Sequence, residues 1–152
     1  MSDIHIDDFF KDAAKTLHRL YLSFPRKITV FVEEIAGPVT TDEFGVPGDR
    51  FVACFGTLLW LAEEGYLRYA DTIRQEAIDQ AVLTGRCFSV LTLQSNSGAP
   101  IDQSLPASVR DEQSTHIQRL RDALKSGSSI RVRTTMTDVM TLMVRSTHRF
   151  PT

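Results

Sequence analysis

FGTLLWLAEEGYLRY, residues 55–69, starts as an apolar helix and ends as a strand. Phe55, Leu58, Leu59 and Ala62 recur at three- and four-residue steps, the spacing of one helix face. Glu63-Glu64 is a polar step, and Gly65 ends the helix because it enters left-handed backbone without a Cβ clash. Tyr66-Leu67-Arg68-Tyr69 then has the aromatic and aliphatic content of a strand. The chain's single tryptophan, Trp60, lies on this helix just before the corner.

Downstream of the corner, YLRYADTI (66–73) and AIDQAVLT (77–84) read as two strands joined by the polar turn Arg74-Gln75-Glu76. RCFSVLTL (86–93) begins another helix. Upstream, Asp49 is a candidate N-cap for RFVACFGTLLWLAEE, so the helix occupies about 15 residues before Gly65. Residues 38–48, PVTTDEFGVPG, form a loop marked by two prolines and two glycines. ITVFVEEIAG (28–37) mixes two patterns. Ile28, Val30 and Val32 alternate like a strand, while Phe31, Ile35 and Gly37 suit a short helix capped by Thr29, so a brief strand running into a helical turn or two is expected.

Residues 7–23, DDFFKDAAKTLHRLYLS, place Phe9, Phe10, Ala13, Ala14, Leu17, Leu20 and Tyr21 on one helix face. Acidic residues lead this helix, as its dipole favours, and Pro25 ends it. NSGAPIDQSLP (96–106) is small, polar and proline-bearing, the composition of a linker. Two helical segments follow it. The first carries Val109, Ile117, Leu120 and Leu124 and stops at Gly127; the second begins near Ser128 or Ser129 and shows Ile130, Met136, Val139, Met140 and Met143 on its apolar side. The expected fold class is mainly α with a small β-hairpin. Residues 1–94 would form the first domain, 95–106 the linker and 107–152 a C-terminal helical extension packing on that domain or in a dimer.

The chain has 152 residues, 42% hydrophobic and 24% charged, enough for one domain with a real core. No apolar run approaches the ~20 residues of a membrane span, and the N-terminus MSDIHIDDFFKD lacks the basic-then-apolar design of a secretory signal. A cytoplasmic protein without membrane partners is the expectation, with Cys54 and Cys87 as reduced, buried thiols. The net charge of −2 hides an asymmetry. Residues 106–152 hold eight basic and four acidic groups, while both preceding segments, 1–48 and 49–105, are net acidic.

The order helix, short strand, helix, helix, two-stranded hairpin, helix resembles the winged helix-turn-helix superfamily. TLLWLAEEGYLRY is similar to the end of its third helix entering the first wing strand, and IDQAVLTGRCFSVL to its second wing strand followed by a helix. The resemblance spans roughly residues 7–94. It implies a transcriptional regulator that binds double-stranded DNA, with the third helix in the major groove. Carried onto this chain, the candidate DNA contacts are Arg50, Thr57, Arg68 and Arg74, and the regulator would be a homodimer.

The residues also open an alternative. On a helical wheel, Phe51, Phe55, Leu58, Leu59 and Ala62 face the core. Ala53, Gly56, Thr57, Trp60 and Glu64 occupy the opposite arc, where a groove-reading helix needs Arg, Lys, Asn or Gln. Lysine is absent from residues 28–124, so phosphate neutralisation is weak. An outward Trp60 suits a protein interface. The candidate interface residues are Trp60, Phe9, Phe10, Met140 and Met143, in a protein-interaction module that binds no DNA.

Catalytic chemistry has no motif here. His5, His18, His116 and His148 lack metal-ligand spacing, and the thiols have no CxxC partner. Asp7-Asp8 and Glu33-Glu34 sit at helix ends, where dipole compensation explains them. No nucleophile elbow, phosphate loop or dinucleotide fingerprint is present. A non-enzyme without metal or cofactor is expected.

Overall fold

The computed structural model describes residues 4–39, 41–95, 104–107 and 115–149. Among them are six helices and four short strands, a mainly helical chain with one small antiparallel sheet. The chain divides into two compact units, residues 1–84 and 85–152.

In the first unit α1 spans Ile4–Ser23, β1 Ile28–Phe31, α2 Val32–Ala36 and α3 Asp49–Glu63. The strand-into-helix expectation for residues 28–37 is met, but Thr29 does not cap α2. Phe31 is the N-cap and offers no side-chain bond. Thr29 instead donates its hydroxyl to Asp79 Oδ1 at 2.7 Å. Likewise α3 begins at Asp49, and its N-cap is Gly48 rather than the aspartate.

The corner after α3 is a Schellman motif. Tyr66 N–H donates to Leu61 O at 2.8 Å and Gly65 N–H to Ala62 O at 3.1 Å, with Gly65 at φ +82°. These bonds satisfy carbonyls that a helix end leaves without partners, and they need left-handed backbone at Gly65. Thr84 then closes the corner from the far end of the hairpin, its hydroxyl donating to Gly65 O at 2.7 Å.

The hairpin comprises β2 (Leu67–Arg68), β3 (Asp71–Ile73) and β4 (Ala77–Leu83). β2 and β3 share one register against β4: Leu67 faces Leu83 and Thr72 faces Ile78. β1 covers the other edge of β4, pairing Ile28 with Ala81 and Val30 with Ile78 across a bulge. Gln80, at φ +54°, is the residue that makes the bulge possible. At the tip Arg74 and Gln75 both take positive φ, 50° and 62°, and Glu76 N–H donates to Ile73 O at 2.7 Å. That is the mirror-image turn whose twist suits a two-residue hairpin. The core under the sheet is Leu17 and Leu20 of α1, Ile35 of α2, Leu58 and Leu61 of α3, and Ile78 and Leu83 of β4, all buried.

The second unit contains α4 (Gly85–Thr92), α5 (His116–Ser126) and α6 (Ser129–Arg149). α4, which sequence order puts at the end of the first domain, packs with α5 and α6. Thr115 caps α5 by accepting from Gln118 N–H at 3.3 Å, and Gly127 ends it at φ +71°. Of the expected linker, residues 95–106, the stretch 96–103 lies outside the described residues, as do residues 108–114 of the helical segment after it. The buried stripe of α6 is Val132, Met136, Val139 and Met143. Ile130 does not belong to it: the side chain is 78% exposed, because the register that buries Met136 and Val139 turns position 130 to solvent.

Candidate functional site

In the first unit, the opening turns of α1 lie along α3 and leave an apolar groove between them, with a volume of about 540 Å³. Ile6 and Phe9 form the α1 wall; Ala53, Gly56, Thr57 and Trp60 form the α3 wall. Gly56 lines the groove, and a Cβ added there would meet nothing within 4 Å, so the groove has open space beside it. The glycine costs about 1 kcal/mol in helix propensity relative to alanine.

Trp60 is half-buried, not the solvent-facing aromatic that the helical wheel suggests. Its ring meets Phe9 edge-on at 5.2 Å and leans on Tyr66 at 5.8 Å, while Phe9 meets Phe10 at 5.4 Å. Such edge-to-face pairs are worth about 1 kcal/mol beyond the area they bury. Phe9, Phe10 and Trp60 are thus brought together as one cluster, of which Phe9 and Trp60 line the groove. Met140 and Met143 lie in the second unit, where Met143 is buried in the helical core and Met140 is half-buried.

Charges gather at one end of the groove. Arg50 donates from both terminal nitrogens to the two oxygens of Asp12 and also approaches Asp8, Nε to Oδ2 at 3.5 Å. Asp12 is 1% exposed although it lies on the apolar face of α1. A buried carboxylate survives there because the planar guanidinium matches it through two parallel bonds. The bond to Asp12 raises the Arg50 pKa above its ordinary value, against the opposing effect of burial. Beside them, burial pushes the Cys54 thiol up to about 12, with the Asp12 charge adding to the effect. Burial lowers the pKa of Lys15, which is helped down by Lys11; its ammonium donates to Ile35 O at 3.3 Å.

The expected DNA contacts are dispersed. Arg50 is committed to Asp12 and Asp8. Thr57, expected on the outward arc, is 5% exposed and donates its hydroxyl back to Ala53 O at 3.1 Å. It is turned inward because α1 walls that side of α3. Arg68 and Arg74 are exposed on the hairpin. Sequence reasoning missed Asp12 altogether. The available signal was an aspartate three residues after Phe9, flanked by Ala13, Ala14 and Leu17, a position that a lone carboxylate would not occupy without a cation.

Both thiols are buried and neither forms a disulfide. Among the described residues no group of acidic, histidine and cysteine side chains is arranged to hold a metal ion, and no helix is long and apolar enough to cross a membrane. No family model matches the chain, and no curated protein or solved structure matches it either.

Proposed function

We propose that the first unit is a winged-helix-like protein-interaction module whose groove between α1 and α3 receives the apolar face of a partner helix. The element order α1, β1, α2, α3 and hairpin, with β1 on the outer edge of β4, supports the winged-helix part of this reading. The observation that carries the interaction part is the face of α3 bearing Gly56 and Trp60. In a winged-helix DNA reader that face carries polar side chains aimed at bases. Here it forms the wall of an apolar groove, and the one cation on the helix, Arg50, is consumed by Asp12. Helix-in-groove recognition needs that combination of an apolar floor and a few fixed charges.

Trp60 fluorescence supplies the test. Titration with a synthetic amphipathic helix of leucine and lysine should shift the emission saturably, and Gly56→Arg, which fills the groove, should abolish the response. An unchanged spectrum would sink the reading. A second reading keeps the DNA-binding regulator, resting on the exposed Arg68 and Arg74 of the hairpin. It predicts anisotropy changes with random duplex DNA at low salt and ~10 µM protein, within the usual non-specific range. Loss of that signal in Arg68→Ala and Arg74→Ala would favour it over the groove.

A further inference from the structure

The outward face of α6 carries Ile130, Thr134, Thr137, Thr141 and Val144, spaced by alternate four- and three-residue steps. All five are exposed, Ile130 by 78% and Val144 by 58%. They run opposite the buried stripe of Val132, Met136, Val139 and Met143. Every member of the exposed stripe is β-branched, a choice that lowers helix propensity on a face where packing within the unit does not require it. Two of its three hydroxyls are also turned back to the helix. Thr137 donates to Arg133 O at 2.7 Å and Thr141 to Thr137 O at 2.8 Å, so at these positions the face presents methyl groups.

Charge selects what covers it. Arg131, Arg133 and Arg145 are exposed beside the stripe. Antiparallel pairing of two α6 helices would bring Arg131 and Arg133 of one against Arg145 of the other, a like-charge contact. The groove between α1 and α3 has the opposite sign: Asp8, Asp12 and Asp49 line it against the single cation Arg50, which is itself paired with Asp12 and Asp8. Residues 1–84 hold eight basic and fourteen acidic groups, a net −6, and residues 85–152 hold nine and five, a net +4. The α1 wall, residues 4–12, runs about 12 Å and the α3 wall, residues 49–60, about 17 Å, so the groove takes most of the stripe, which runs about 21 Å at the rise of an α-helix.

Resting on the protein-interaction reading above, we propose that the exposed stripe of α6 from one copy lies in the groove between α1 and α3 of a second copy. Ile130 and Val144 supply its apolar anchors, and Arg131, Arg133 and Arg145 meet the acidic groove and its surroundings. Such a contact is heterologous. It closes as a dimer when both copies exchange helices and otherwise continues head to tail.

Sedimentation of the full chain tests this between about 1 and 100 µM, the range of a weak self-association. The expected result is an assembly that weakens as salt rises. Ile130→Asp with Val144→Asp, and separately Gly56→Arg, should each raise its dissociation constant about tenfold or more. An equal mixture of the two variants should assemble again, because one intact groove then meets one intact α6. Ala53→Arg replaces Gly56→Arg should the latter melt below the parent chain. A monomeric chain, an assembly indifferent to either variant, or a mixture that does not recover overturns the proposal. A monomeric chain whose Trp60 still responds to the leucine–lysine helix defeats the second copy as occupant and leaves the interaction module standing. Failure of both defeats both.

Discussion

Arg50 of α3 holds Asp12 of α1 through two parallel hydrogen bonds across 38 positions of sequence. Removing one partner of such a pair leaves a buried charge uncompensated, and the cost exceeds what the pair itself contributes. Because Arg50 is 36% exposed and Asp12 only 1%, Arg50→Ala should cost about 2–3 kcal/mol, less than the ~3–5 kcal/mol of a fully buried pair because water reaches the arginine side. Urea unfolding reads this directly. The double variant Asp12→Leu with Arg50→Met should recover most of the loss, since it removes both charges and keeps the volume. A single variant as stable as the parent chain would show that water, not Arg50, compensates Asp12.

The hairpin tip makes a second prediction. Arg74 and Gln75 both occupy left-handed backbone, at φ 50° and 62°, which costs a non-glycine residue roughly 1–2 kcal/mol. Arg74→Asn with Gln75→Gly gives this turn the dipeptide it prefers. The variant should gain about 1 kcal/mol and melt about 2–4 °C higher. A lower melting temperature would mean that the arginine or glutamine makes contacts outweighing the strain.

These two sites mark how much of the molecule its sequence discloses. The corner at Gly65 was legible because its causes are local: an apolar period, a polar step, a glycine and then a tyrosine within a few residues. The hairpin and the strand-into-helix at Ile28 were legible for the same reason. The Arg50–Asp12 pair was not, since nothing local ties residue 12 to residue 50. A single-helix wheel turns Thr57 and Trp60 outward because it cannot register that α1 lies along that side of α3. Ile130 reads as core because it is aliphatic and lies near the apolar residues of α6 in sequence, but its helical position falls opposite the buried Val132, Met136, Val139 and Met143. The groove therefore exists only through the packing of two helices, and no single-helix pattern discloses it.

Cys54 and Cys87 give a third prediction. Burial pushes both thiols up to about 12, whereas an unfolded thiol titrates near 8.5. A thiol whose native pKa is raised stabilises the fold fully below the unfolded pKa, and that stability is lost as pH climbs toward the native value. The chain should therefore lose about 2 kcal/mol per thiol between about pH 8.5 and 10. Cys54→Ala and Cys87→Ala should each flatten the alkaline limb of a stability–pH curve, whatever they cost near neutrality. In the native chain neither thiol should react with Ellman's reagent near pH 8 except at the rate of unfolding. Rapid stoichiometric labelling would contradict the burial.

His116 sets the acid side of the second unit. It is 5% exposed at the start of α5, and its Nδ1 has no hydrogen-bond partner among the described residues. Burial lowers its pKa; Asp138 on α6 opposes this and Arg119 on α5 reinforces it. A group whose native pKa lies below its unfolded value stabilises the fold above the unfolded value, near 6.5 for histidine. That contribution is lost as pH falls through the native pKa, because the unfolded chain then binds the proton more readily. Stability should accordingly decline below about pH 6.5. His116→Phe should remove this component, since phenylalanine keeps the ring in place without a titrating group. The comparison is made by urea unfolding of both chains from neutral to mildly acidic pH. Parallel declines in parent and variant would assign the acid sensitivity to other titrating groups and refute the role given to His116.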